Sequence, residues 1–192
     1  MTGYQFLKEF VIPLAPAIVS LVVPIIVFYV IPLRWNRRQL ALDLFSSFYG
    51  EEMRHARAQS WEYFIGALVE SNPGSPEVSV PRSARLRLFL QYLAEPATHI
   101  RIAAAEHEVF QKASRVLDFF TVVDGCLGRK TIDEGMMRDF LRYYYLWWRQ
   151  EMLEPLRAED YPFPDARLKP RWLRHLRHLD RVCGFDPPKH SH

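Results

Sequence analysis

Glu52 and His55 stand at the Glu-x-x-His spacing by which helical bundles place two metal ligands on one face. A di-iron carboxylate site needs that pair twice, with two further glutamates, and the chain carries it once. Glu95 and His99 are spaced to share a helical face, but Pro96 stands between them and no third ligand is placed to join them. Cys126 and Cys183 lie far apart, with neither a C-x-x-C pair nor a histidine at ligand spacing. That argues against a zinc module or a disulfide framework and suits a reducing compartment. No metal, cofactor or catalytic residue is assigned.

Arg101 and His107 are separated by five residues, a spacing similar to that of the all-helical ribonucleases called HEPN domains. Ile102 follows the arginine where that family favours a polar residue. On an ideal helix the two side chains also diverge by about 120°. Glu106 and His107 border an apolar stripe, so they are either a pair of titratable groups set for chemistry or hydrogen-bonded members of a helical interior.

These residues sit in segments with helical periodicity. One helix is predicted over 51–69, with Met53, Ala56, Trp61, Phe64 and Leu68 near one face and Glu51 and Glu52 favouring its N-terminus. Residues 71–82, with three prolines and a glycine, read as a loop. A short helix over 84–94 ends at Glu95-Pro96. The central helix is expected over 97–123, with Val109, Ala113, Val116, Phe120 and Val123 on its apolar side. Gly125 and Gly128 end it. Thr131 and Glu134 have the form of a capping box opening a last long helix over 132–156. No segment alternates as a strand does, so the fold class is all-α.

Residues 10–33 contain no charged side chain and are long enough to span a hydrocarbon core. The segment lacks the positive n-region and small-residue cleavage site of a signal peptide, and reads as an uncleaved anchor. Arg34, Arg37 and Arg38 follow it, against Lys8 before it, which places the C-terminal side in the cytoplasm. Tyr29 and Trp35 fall where an interfacial aromatic belt is expected. Pro24 interrupts the span and should kink it, a defect that packing against other membrane helices can compensate.

Two further surfaces stand out. Tyr143, Tyr145 and Trp147 add aromatics beyond the stripe formed by Met137, Leu141, Tyr144 and Trp148, and read either as core and edge or as a partner surface. Arg171, Arg174, Arg177 and Arg181 alternate with Trp172, Leu173, Leu176 and Leu179 in a basic amphipathic helix. Such a helix can pack on the bundle, dock a partner or lie on an anionic leaflet. The net charge of +3 is too small to imply a nucleic-acid binder, so any basic partner surface is local and no nucleic acid is expected.

The run Tyr49-Gly50-Glu51-Glu52-Met53-Arg54-His55-Ala56-Arg57 resembles a bacterial family of single-pass, membrane-anchored helical proteins of unknown function. So do Arg115-Val116-Leu117-Asp118-Phe119-Phe120 and Gly128-Arg129-Lys130-Thr131-Ile132-Asp133-Glu134, which leads into the aromatic-rich helix ending Glu154-Pro155-Leu156. The resemblance covers residues 34–157, with Thr121 where an acidic residue is expected. It implies an anchor plus a helical domain and no established activity.

The expected organisation is a short N-terminal segment (1–9), a transmembrane helix (10–33), a basic juxtamembrane stalk (34–50), a helical bundle (51–157) and a C-terminal loop with the basic helix (158–192). The expected role is a non-catalytic accessory or scaffold subunit of a larger complex in the bacterial inner membrane, N-terminus outside. Its partners would be integral membrane subunits and anionic lipid at the cytoplasmic face. The competing expectation is a membrane-tethered cytoplasmic effector or signalling domain, nucleolytic if Arg101 and His107 act together.

Overall fold

The structure, a computed structural model, describes residues 22–65, 81–94, 104–159, 163, 165, 167, 169–174 and 176–185. Every regular element among them is helical. Residues 22–25 lead through a wide π turn, Ile26–Val30, into α1 (Ile31–Tyr49). Then come α2 (Glu51–Phe64), α3 (Arg82–Ala94), α4 (Ala104–Gly128) and α5 (Glu134–Trp148). A second π turn, Arg149–Leu153, carries α5 directly into α6 (Glu154–Ala158). Two short helices, α7 (Arg171–Arg174) and α8 (Arg177–Cys183), close the described chain.

Both π turns precede a proline. Ile31 N–H donates to the Ile26 carbonyl just before Pro32, and Glu154 N–H to the Arg149 carbonyl just before Pro155. A proline ring collides with the carbonyl four residues back and offers it no N–H, and widening the preceding turn makes room for the ring. At the second site the Glu151 carbonyl, four residues before Pro155, accepts instead from the Arg82 guanidinium at the start of α3.

α4 is the central element. Phe110, Ala113, Val116, Leu117, Phe120 and Val123 on it are completely buried, and it packs against α2, α7 and α8. Phe120 also meets Tyr145 and Trp148 of α5, at ring-centroid distances of 5.3 and 6.5 Å. Met53, Ala56 and Phe64 of α2 are buried as the spacing requires, with Trp61 half-buried. Met137, Leu141, Trp148 and Met152 of the α5 rod are buried too.

The first expected helix ends at Phe64 among the described residues, and Leu68, Glu95, His99, Arg101 and Ile102 lie outside them. The expected anchor falls partly outside as well, over residues 10–21. Its described remainder is helical and continuous with the stalk, and Val22, Val23, Ile25, Phe28, Ile31 and Leu33 are exposed, Phe28 at 74%. No described helix is by itself long and apolar enough to cross a membrane.

Three expectations need correction. Thr131 is not the cap of α5: Asp133 holds that position, its carboxylate accepting from Met136 N–H at 3.0 Å, and α5 begins at Glu134. Thr131 instead serves the end of α4, where its hydroxyl donates to the Cys126 carbonyl at 3.1 Å. The basic C-terminal segment is two short helices and not one. Trp172, Leu173, Leu176 and Leu179 are buried in the bundle, so its apolar stripe is occupied by packing. Tyr145 is also fully buried, its hydroxyl donating to Asp180 at 2.5 Å, and cannot belong to a partner surface.

Candidate functional site at the junction of stalk and bundle

α1 is longer than its support. Its C-terminal half is held by rings: Phe45 against Phe140 at 4.3 Å, Phe48 against Phe119 at 4.9 Å, and Phe48 edge-on to Tyr144 at 5.7 Å. The Arg57 guanidinium of α2 covers Phe48 at 4.2 Å and Tyr144 at 5.1 Å, a cation–π contact that ties α2 into the same cluster. Ala41 and Phe48 are completely buried. Arg34, Arg37 and Arg38 lie one to two turns further toward the N-terminus, near the azimuth of Ala41, Phe45 and Phe48 at helical spacing. The packed face of α1 thus continues past the bundle as a basic overhang.

Beneath that overhang runs the turn between α4 and α5. α4 ends with Lys130 N–H donating to the Leu127 carbonyl and Thr131 N–H to the Cys126 carbonyl, both at 3.0 Å. This is a Schellman cap, whose left-handed position normally holds glycine. Here it holds Lys130, at φ 55°, the one non-glycine residue with positive φ among those described. A Cβ at that position is crowded by the backbone, a cost that surrounding structure must offset.

The overhang and the turn enclose a cleft of about 450 Å³ lined by Arg34, Arg37, Arg38, Lys130, Ile132, Asp133 and Glu134. Its acidic members are already engaged. Asp133 caps α5 and lies 3.7 Å from Arg38, and Glu134 accepts from Arg181 of α8 at 2.9 Å. Arg34, Arg37 and Lys130 have no carboxylate partner among the described residues. Trp35 stands beside the cleft, 68% exposed. The arrangement offers two guanidiniums with planar forks and one ammonium, a donor set suited to an oxyanion bearing several oxygens.

The other charged constellation is centred on a buried arginine. Arg149, 3% exposed, sits in the π turn of the α5 rod. It pairs with Glu154, meets Asp180 of α8 at 3.1 Å, and stacks on Phe185 at 4.2 Å. Asp180 also accepts from Tyr145, whose hydroxyl is pushed far above its ordinary range by burial and then by that hydrogen bond. Arg157 reaches the Trp172 and Leu173 carbonyls at 3.0 and 3.3 Å, and burial, followed by the charge of Arg149, lowers its pKa. The network fastens α7 and α8 to the rod. Asp124 of α4 completes the fastening, accepting from His178 and Leu179 N–H at 2.8 and 2.9 Å and so capping α8 from outside it.

The remaining sequence candidates disperse. Glu52 pairs with Arg115, and His55 lies 3.7 Å from Glu51. Among the described residues no three His, Cys, Asp or Glu side chains converge on a metal position. Glu106 accepts from Tyr63 at 3.1 Å, while His107 stands edge-on to Tyr92 at 5.3 Å, so the neighbours face different helices. Tyr143 is 79% exposed, and Trp147 is half-buried with its ring 3.5 Å from that of Trp61. Arg171, Arg174 and Arg177 are exposed, and Arg181 is tied to Glu134. Pro24 and Tyr29 lie on the exposed helix that precedes α1.

Spacing and composition do not single out Lys130, Asp124 or Asp180. Arg149 does carry a signal, since Leu141, Tyr145 and Arg149 recur every four residues and put an arginine on the core stripe. Lys130 has only its place after Gly128-Arg129, where a helix is expected to stop. No family model, curated protein or solved structure matches the chain.

Proposed function

We propose that this chain is a membrane-anchored accessory or scaffold subunit of the bacterial inner membrane, with residues 10–33 as a single transmembrane helix and the bundle on the cytoplasmic side. The observation that carries the reading is the uncovered helix ahead of α1. Val22, Val23, Ile25, Ile26, Val27 and Phe28 are each 40–74% exposed, on a helix that stands off a bundle already closed around its own core. An apolar stretch of that extent is stable in water only when something covers it. Uncharged residues continue back to Phe10 and arginines begin at Arg34, which suits lipid and partner membrane helices as the cover.

The scaffold part of the reading is supported by what the bundle spends its polar groups on. Arg149, Asp180, Arg157 and Asp124 all hold helices together, which is the work of a rigid brace. Pro24 and the π turn at Ile26–Val30 give the exposed helix an irregular surface against which other helices can pack.

The test is gentle detergent extraction of the native membrane, native-gel separation and mass spectrometry of the band containing this chain. Stoichiometric co-migration with integral membrane subunits is expected. Migration alone or with soluble proteins only would overturn the scaffold reading and favour a tethered effector.

A further inference from the structure

We propose that the cleft between the stalk overhang and the α4–α5 turn binds the phosphate of one anionic phospholipid headgroup, held by Arg34, Arg37 and Lys130. The inference rests on the membrane reading above and names the lipid contact of its cytoplasmic end.

Charge is the first ground. Arg38 is balanced by Asp133 and Glu134 by Arg181, and the three cations left over among the described residues line one cleft of about 450 Å³. Unbalanced cations gathered at close range repel one another and are stabilised by a shared anion. Lys130 is the second ground. It occupies a left-handed cap position that glycine fills at lower cost, and it lines the cleft from the bundle side.

Depth selects a lipid over a free phosphate. The uncharged stretch ends at Leu33, and Arg34 to Arg38 follow on the same helix. At 1.5 Å per residue, Arg37 lies about 6 Å beyond that end. The polar layer between hydrocarbon core and water is about 5–8 Å thick on each side. With the apolar stretch in hydrocarbon, the cleft opens at the level of the lipid phosphates, and Trp35 lies at the same level, as interfacial tryptophans do.

The full-length chain, purified in a neutral maltoside detergent, would be titrated separately with phosphatidylglycerol, phosphatidylcholine and inorganic phosphate. Retained lipid is read by native mass spectrometry and the melting temperature in parallel. Expected is retention of phosphatidylglycerol over the other two by at least tenfold. Arg37→Ala and Lys130→Gly should each weaken it about fivefold. Lys130→Gly should meanwhile melt no lower than the parent, since glycine relaxes the left-handed cap, so its loss of lipid cannot come from misfolding. Undiminished retention by both variants, or inorganic phosphate binding as tightly as the lipid, would overturn the proposal. Alkaline carbonate washing of native membranes separates the two failures. A chain that stays with the membrane while its variants keep their lipid refutes the cleft alone, and a chain that washes off refutes the anchor and the lipid occupant with it.

Discussion

At the residue scale the stability of the bundle is concentrated in a few buried polar groups. Replacing Arg149 by alanine removes the cation from Asp180, leaves Glu154 only its contact with Arg157, and empties the face of Phe185. Orphaning a fully buried ion costs about 3–5 kcal/mol, but both carboxylates keep part of their surface in water, so about 2–3 kcal/mol is expected, measured by chemical denaturation. Two other groups add to the sensitivity to alkali that the buried Tyr145 hydroxyl confers. Burial, with the neighbouring Glu106, pushes the Tyr63 hydroxyl from 10.0 up to about 12. Burial, with Asp180 nearby, pushes the Cys183 thiol from 9.0 up to about 12. In both cases the folded state holds its proton more tightly than the unfolded chain. The stability they contribute is therefore complete below about pH 9 and lost as pH rises toward 12. The melting temperature should fall across that window, and Tyr63→Phe with Cys183→Ala should make the fall shallower, with the raised hydroxyls of Tyr49 and Tyr145 keeping the rest of it. An unchanged slope in the double variant would assign the alkaline loss to other groups.

At the element scale, helices declare themselves in a sequence through apolar spacing, whereas the joints between them depend on partners distant in the chain. The stripe Ala113, Val116, Phe120 and Val123 marks α4 as a core helix by spacing alone, because a 3.6-residue period admits one buried face. The ends are harder to read. Thr131-x-x-Glu134 has every residue of a capping box, yet Asp133 is better placed and takes the role, freeing Thr131 for the preceding helix. The cap of α8 is invisible locally, since Asp124 supplies it from more than fifty residues away. The basic helix at the C-terminus reads as one amphipathic rod until Leu176 leaves helical geometry, with ψ 54°, and breaks it into two pieces. Asp124→Ala should lower stability by about 1–2 kcal/mol and raise hydrogen exchange selectively in α8. Exchange rising equally throughout the bundle would show that α8 does not open as a separate unit. The cleft is half legible for the same reason: Arg34, Arg37 and Arg38 are a cluster in sequence, while Lys130 joins them only when the α4–α5 turn folds beneath the stalk.

At the scale of the whole molecule the chain divides its surface sharply. Among the described residues the bundle keeps its large apolar groups inside, with Val122 and Tyr143 the main exceptions beyond the stalk, and the helix ahead of α1 presents them in succession to the outside. The proposed brace, meeting the membrane through that helix and the headgroups through the basic cleft, would account for both surfaces with one orientation. The most direct measurement is to place a photo-crosslinking amino acid at Phe28, the most exposed of the described apolar residues ahead of α1, in the chain in its native membrane. Covalent adducts with lipid or with an integral membrane subunit are the expected result. Adducts confined to soluble proteins, to this chain's own bundle or to water would contradict a membrane role for that helix.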